Sequence, residues 1–315
     1  MGKKVVYYLA VEESIDHVAA PVFTELVKLL SLSEKNIEVD GYPVLENIDE
    51  KGNIFWFVRT KKVVCHDYTR YLPMMLDFFS GFDVAGLITW HEGENAPDKV
   101  FSVHTTGDVD TGNFGPASPG YMHSLLIWLE YYRLEEGLDD FFVTTEATHW
   151  SGIMYGEASP DLIPEYKVPI MDIEIGSSQE SWSDQAAARA LAKSLLRVFD
   201  NDGLELKNVL CAGGTHFDKA FSSEILRTWD GKAYGISHII PNQWLVTGRY
   251  ESDEGLGKLK ACVESIEGGI HGIAMHDGLK GVYKEKLREL GKEYGVPVFK
   301  HQQLRRPEII EWVNK

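Results

Sequence analysis

Phe141–Trp182 opens with FFVTTEATHWSG and, after a loop, resumes as VPIMDIEIGSSQESW over Val168–Trp182. Each half begins with a short apolar, β-prone run and passes at once into residues that carry chemistry. Glu146 and His149 follow the first run, and Glu174 leads into Gly176, Ser177 and Ser178 in the second. Open α/β sheets build binding sites in this way, by delivering side chains from strand ends into one space. Ser177-x-x-Glu180 has capping-box spacing, which assigns the two serines to the start of a helix over Trp182–Phe199.

The alternation continues outward in both directions. Apolar runs of strand length occur at Lys3–Val11, Asn53–Thr60, Lys62–Cys65, Asp83–Thr89 and Val100–Val103, and again at Lys207–Cys211, Tyr234–Ile240, Gly269–Met275 and Val296–Phe299. Helical spacing predicts a helix capped by Ser14 and reaching Leu30, and others at Tyr71–Phe79 (Pro73 in its first turn) and Tyr121–Arg133. Later helices are predicted around Ala220–Thr228, Gly255–Ser265 and Leu279–Leu290, with a short one near Pro307–Trp312. Thr105–Pro119, rich in Gly, Thr, Asp and Pro, reads as an irregular loop, exposed or folded over a site. Strands alternating with helices call for an α/β fold, a three-layer α/β/α sandwich with a mostly parallel mixed sheet. With no repeat, low-complexity run or Pro-rich linker, one domain over residues 1–315 is expected, a boundary near 205 being the alternative.

The 315 residues suffice for a sizeable core, and 44% hydrophobic with 25% charged residues is ordinary for a globular protein. MGKKVVYYLA reads as a first strand, not a signal peptide, and no run is long enough to span a membrane. Cys65, Cys211 and Cys262 are far apart and odd in number, which argues against a disulfide framework and for a reducing cytoplasm. The net charge of −17 repels polyanions at long range and argues against a general nucleic-acid binder, DNA included. Contact with the end of an RNA stays compatible with it.

Five histidines stand at or near the ends of apolar runs: His91, His104, His149, His216 and His238. Any one alone is explained as structural. Together with Glu146 and Glu174 they suit Zn²⁺, whose catalytic sites keep one position for water. Gly213-Gly214 and Gly107…Gly112 are either anion cradles or tight turns. There is no G-x-G-x-x-G, P-loop or G-x-S-x-G motif, which removes support for dinucleotide, P-loop and serine-elbow chemistry. His271 and His276, oddly spaced on one apparent strand, fall on opposite faces. Trp56, Trp90, Trp150 and Trp182 read as core or pocket wall, not as a base-stacking platform.

The series TGNFG (Thr111–Gly115), EATH (Glu146–His149), VPIMDIEIGSSQESW (Val168–Trp182), GGTHF (Gly213–Phe217) and SHIIP (Ser237–Pro241) resembles, in order and spacing, the D-aminoacyl-tRNA deacylases of the archaeal and plant type. The resemblance covers Phe82–Pro241. It implies a zinc-dependent esterase, on a phosphorylase/hydrolase-like fold, that cleaves a D-amino acid from the 3′ acceptor end of tRNA. It further implies His91, His104, His149 and His216 as candidate metal ligands, and Glu146 or Glu174 as general base or orienter. Gly112 and Asn113, in a loop over the terminal adenosine, and Gly213, Gly214 and His238 would contact substrate.

Four departures fall near that site. Trp90-His91-Glu92-Gly93 stands where the family tends to have Arg-His-Ser-Ser, and Trp150-Ser151-Gly152 where a second histidine and a proline are usual. Gly213-Gly214-Thr215-His216 replaces a Gly-Gly-Gly-His turn, and Thr-Gly-Asp-Val-Asp precedes the TGN segment. The lost arginine and the acidic charge keep a small-molecule ester or amide hydrolase in play as the alternative, and a non-catalytic binding protein on the same scaffold is a third reading.

Overall fold

The structure, a computed structural model, describes residues 2–12, 14–93, 96–155 and 158–312. From the N-terminus come β1 (Lys4–Ala10), α1 (Ala19–Leu29), β2 (Ser33–Val39), β3 (Tyr42–Ile48), β4 (Ile54–Thr60), α2 (Tyr68–Phe79) and β5 (Val84–His91). The middle holds β6 (Lys99–Thr105), β7 (Gly107–Asp108), β8 (Asn113–Phe114), α3 (Pro119–Glu135), β9 (Phe142–Thr145), α4 (Gly152–Tyr155), β10 (Ile170–Ser177), α5 (Gln179–Trp182) and α6 (Gln185–Leu195). The rest comprises β11 (Glu205–Ala212), α7 (Lys219–Ser222), β12 (Thr228–Trp229), β13 (Lys232–Ile240), α8 (Asn242–Thr247) and α9 (Asp253–Glu264). It closes with β14 (Gly272–Met275), α10 (Gly281–Tyr294) and β15 (Val298–Lys300). No helix among the described residues is long and apolar enough to cross a membrane.

The expected α/β class with mostly parallel central strands is borne out, but the strands divide between two principal sheets. The first has the order β2-β3-β4-β1-β5-β10-β6-β9, the second β12-β13-β11-β14-β15. In the first, β4, β1, β5 and β10 are parallel, whereas β6 runs antiparallel to β10 and carries β9 parallel to itself. β1 shows why a parallel strand reads as continuously apolar. Val5, Tyr7 and Leu9 pack with α1, α3 and α6 on one face, while Val6, Tyr8 and Ala10 pack with α2 on the other. The second sheet is layered likewise: Val209 and Cys211 join the α3 side, Leu210 and Ala212 face α9 and α10. Residues 122–126 of α3 are all buried, because the helix packs against strands of both sheets.

Several local expectations are corrected. Lys62–Cys65 is not a strand; Val63, Val64 and Cys65 are apolar because they are buried in and before a 3-10 turn at Val64–Asp67, and α2 starts at Tyr68. The predicted Trp182–Phe199 helix is two, separated where Asp184 Oδ1 accepts the Ala186 and Ala187 N–H groups and starts α6. Ser178 forms its capping box with Ser181 instead of Glu180, and Ser177 faces elsewhere. The Ala220–Thr228 helix is only α7, and Thr228–Trp229 pairs with β13. The β2–β3 hairpin and α8 were not expected.

Candidate active site

β10 supplies the floor. Met171, Ile173 and Ile175 enter the core shared with α3 and α6, so Asp172 and Glu174 point to the opposite face. Register brings further polar groups beside them: Glu174 lies between Thr89 and Ser102, Asp172 opposite His104, and Gly176 opposite His91. The reversed direction of β6 and β9 brings Glu146, just past the end of β9, back over this face, where its carboxylate accepts the Ser102 hydroxyl. Gly176 is required for space: a Cβ there would lie 2.5 Å from His91 Cβ and 3.1 Å from its Cγ. The floor is thus a polar stripe on a sheet face, not a row of parallel strand ends.

Two groups of side chains converge on it. In the first, Glu146 Oε2 lies 2.6 Å from His216 Nε2 and 3.4 Å from His91 Nε2. His91 Nδ1 is 2.7 Å from Ser177 Oγ, so Ser177 orients this ring. The second group is His104 with Asp172 and Glu174, at 3.4 and 3.8 Å from His104 Nε2. Within each group the donor atoms lie within 4.8 Å of one another, close enough for one cation. His104 Nδ1–H donates to the Thr105 carbonyl at 3.0 Å and leaves Nε2 inward without a hydrogen-bond partner, as are Asp172 Oδ1 and Glu174 Oε2. Buried polar atoms without partners are rare, so three in one place mark a site that takes a ligand or a proton.

His149 lies between the groups. Its ring stacks on His104 with centroids 3.9 Å apart and is 4.8 Å from His216. Its Nδ1–H donates to the Ala147 carbonyl at 2.9 Å, so in the neutral ring Nε2 is a free donor atom.

The titration behaviour follows from these neighbours. Burial opposes the charged form of His104, but Asp172, Glu174 and Glu146 outweigh it and raise the imidazole to about 10. Burial and then the charge of His104 hold His149 well below the ordinary histidine range. Burial works against ionised Glu146, yet hydrogen bonds with His216 and His91 and the charge of His104 hold it well below the usual carboxylate range. Burial and then the charge of Glu146 raise Glu174, and burial raises Asp172 to about 7 despite His104. Neighbouring carboxylates thus sit in unlike environments, the arrangement by which acid and base roles are separated.

Above the floor opens a cavity of about 930 Å³. Its walls include His91, His149, His216 and Glu174, an aromatic side of Trp90, His66, Tyr155 and Trp150, and Phe217 and Trp244 on the second sheet's side. Asp108, Asp110 and Glu92 add negative charge, and among the described residues no lysine or arginine lines it. Trp150, where the family resemblance leads one to expect a histidine, is buried edge-on to Tyr68 and closes the wall without offering a ligand atom.

Of the residues singled out in the sequence, the structure brings His91, His104, Glu146, His149, Glu174 and His216 together. Gly112, Asn113, Gly213, Gly214 and His238, the expected substrate contacts, lie outside the cavity walls. His238 is fully buried between the Thr105 and Thr148 hydroxyls on Nδ1 and Ser265 on Nε2, and burial lowers it to about 3. Gly213 and Gly214 form the turn after β11 with φ of 99° and 76°, and their Cα hydrogens face His276 and Asp218. Gly112 packs on Lys258 and Asn113 lies in the β7–β8 hairpin. Asp172, His66 and Trp244 were not singled out, and Ser177, read as a helix cap, instead meets His91. Asp172 was detectable, since Asp-x-Glu on an apolar strand puts two carboxylates on one face.

Residues 78–299 match the sequence model of a family described as D-aminoacyl-tRNA deacylase. A D-aminoacyl-tRNA deacylase of Methanospirillum hungatei is 31% identical over 154 residues, 47% of this chain and 30% of that protein's length. One of Pyrococcus abyssi is 23% identical over 292 residues, 91% of this chain and 97% of that protein. In fold the chain is similar to the crystal structure of a conserved protein of unknown function, with a TM-score of 0.74 at 19% identity over 100% of this chain and 99% of that one.

Proposed function

The chain belongs to the D-aminoacyl-tRNA deacylase family, a family of hydrolases, and from that premise we propose that its cavity cleaves the ester between a D-amino acid and the tRNA 3′ end with a metal-activated water. The observation that carries the reading is the convergence of His91, Glu146 and His216 on one point at the cavity floor.

Two imidazole nitrogens and one carboxylate make a donor set that fits a hydrolytic zinc centre with a position left open. His91, Glu146 and His216 would hold the ion, Ser177 and Ser102 orienting the first two. His149, with its bare Nε2, offers a further donor beside them. A bound zinc would make its water acidic enough to ionise near neutral pH and would polarise an ester carbonyl. Glu146, held ionised and bonded on both oxygens, is suited to holding and orienting. Glu174 is suited to general base: it lines the cavity, Oε2 lacks a partner, and its raised carboxyl sits nearer to neutrality. It would take the proton of the attacking water and return it to the ribose oxygen as the ester bond breaks. The three cysteines are free and buried, in keeping with a reducing, cytoplasmic setting.

The test pairs metal content with deacylation of D-aminoacyl-tRNA. Glu146→Gln and His216→Ala should lower both together, while Glu174→Gln lowers kcat at full metal content. A protein free of metal that still deacylates at full rate would overturn the metal mechanism.

A small ester or amide is the second reading, favoured by the absence of cationic side chains among the described cavity walls and by the net charge of −17. tRNA affinity at low ionic strength separates the two, because contact with phosphates is strongest there.

A further inference from the structure

We propose that the aromatic side of the cavity, Tyr155 and His66 with Trp90 behind them, is the seat of the terminal adenine base. The inference rests on the deacylase reading for the identity of the substrate and adds where its nucleobase goes.

The aromatic wall is open, unlike a core. Tyr155 is 54% exposed and its neighbour Ile153 48%, although both line the cavity. The His66 and Tyr155 rings lie with centroids 4.7 Å apart and planes tilted by 34°, and His66 meets Trp90 edge-on at 5.9 Å. A single exposed apolar side chain needs no explanation, but several around one concavity mark a binding surface. Burial lowers His66 to about 4, so near neutral pH this wall carries no charge.

Charge narrows the occupant. The described walls of the cavity hold carboxylates but no lysine or arginine, so phosphates gain nothing by entering. What enters must be neutral or cationic, flat enough to lie on aromatic rings, and covalently continuous with an ester at the floor. Trp90 and His91, adjacent on β5, join the two regions: the first belongs to the aromatic side, the second to the His91–Glu146–His216 group. An aminoacyl ester of the terminal adenosine meets all three conditions: its base is flat and neutral, its amino group is cationic, and its phosphate lies at the far side of the ribose. Stacking reads the face of a base and tolerates its edge, so the wall favours a purine through overlap area.

The experiment compares 3′-O-D-tyrosyl-adenosine with D-tyrosine methyl ester, and measures adenosine binding separately through quenching of tryptophan fluorescence. Tyr155→Ala should lower the ratio of kcat/KM for the adenosine ester over that for the methyl ester about ten-fold, mostly through KM, and Tyr155→Phe should preserve the ratio. Tyr155→Ala should weaken adenosine binding by a similar factor. An unchanged ratio, or wild-type protein that does not bind adenosine at millimolar concentration, overturns the proposal. Adenosine binding lost in Tyr155→Ala, in a protein that hydrolyses neither ester, would sustain the base seat and remove the deacylase reading instead.

Discussion

Gly176→Ala tests whether the position of His91 is what makes the floor work. The added methyl would lie 2.5 Å from His91 Cβ, 3.1 Å from Cγ and 3.2 Å from Nδ1. Carbon atoms rest at about 3.5–4.0 Å, so something must give by about 1 Å. The backbone offers little relief, because Gly176 and His91 are register partners in adjoining parallel strands with Ile173 and Ile175 in the core. The imidazole therefore moves, and with it Nε2 beside Glu146 and Nδ1 beside Ser177. Overpacking of this kind costs about 1–3 kcal/mol of stability. A displacement of about 1 Å in a positioned group costs about 100-fold in rate. The assays are D-aminoacyl-tRNA deacylation, metal content and thermal unfolding, with Gly81→Ala as control, since a Cβ at Gly81 meets nothing within 4 Å. Loss of rate and metal in a folded Gly176→Ala protein is the expected result. A variant with wild-type rate and metal content would refute the assignment of His91 to the working site.

Two further substitutions probe the supporting structure. Asp16 is fully buried; Oδ1 accepts the Val18 and Ala19 N–H groups, Oδ2 has no partner, and burial raises the carboxyl from 3.8 to about 6. A carboxyl raised on folding binds more protons in the native state, so the contribution of Asp16 to stability is fully present below about pH 4 and falls by about 3 kcal/mol as pH rises to about 6. Asp16→Asn keeps the cap without the charge and should flatten that decline in urea titrations between pH 4 and 8; an identical decline in the variant would show that Asp16 is not its source. His238→Ala removes a partner of the buried Thr105 and Thr148 hydroxyls and of the half-buried Ser265 hydroxyl, and should cost about 2–4 kcal/mol in thermal or urea unfolding. KM of the folded variant should stay at the wild-type value, and a raised KM with unaltered unfolding would instead place His238 against the substrate.

The parallel strands of the first sheet were legible because burial on both faces imposes uninterrupted apolar runs, as in β1 and β5. Asp40-Gly41, with φ of 54° and 86°, is a hairpin turn signal that was readable between β2 and β3, but SEKNIEV is too charged to resemble a strand. The site was legible in its residue types. Its geometry was not, because periodicity does not encode strand direction: β6 and β9 oppose β10, and that alone brings His104 beside Asp172 and Glu146 over Ser102. Ser177 illustrates the same limit. Its position before a helix suggests a cap, and only the register of β10 against β5 turns its hydroxyl to His91.

The hydrogen bonds that fix the floor also determine when it can form. Ser102 with Glu146 closes 44 residues of chain, His216 with Glu146 closes 70, and His91 with Ser177 closes 86. Contacts of such sequence separation are made after the intervening chain has lost its freedom, so they come late in folding. Until the second sheet delivers His216, Glu146 lacks the hydrogen bond that contributes most to keeping it ionised. On refolding, deacylase activity should therefore return with the docking of the two sheets, behind the recovery of helix and strand.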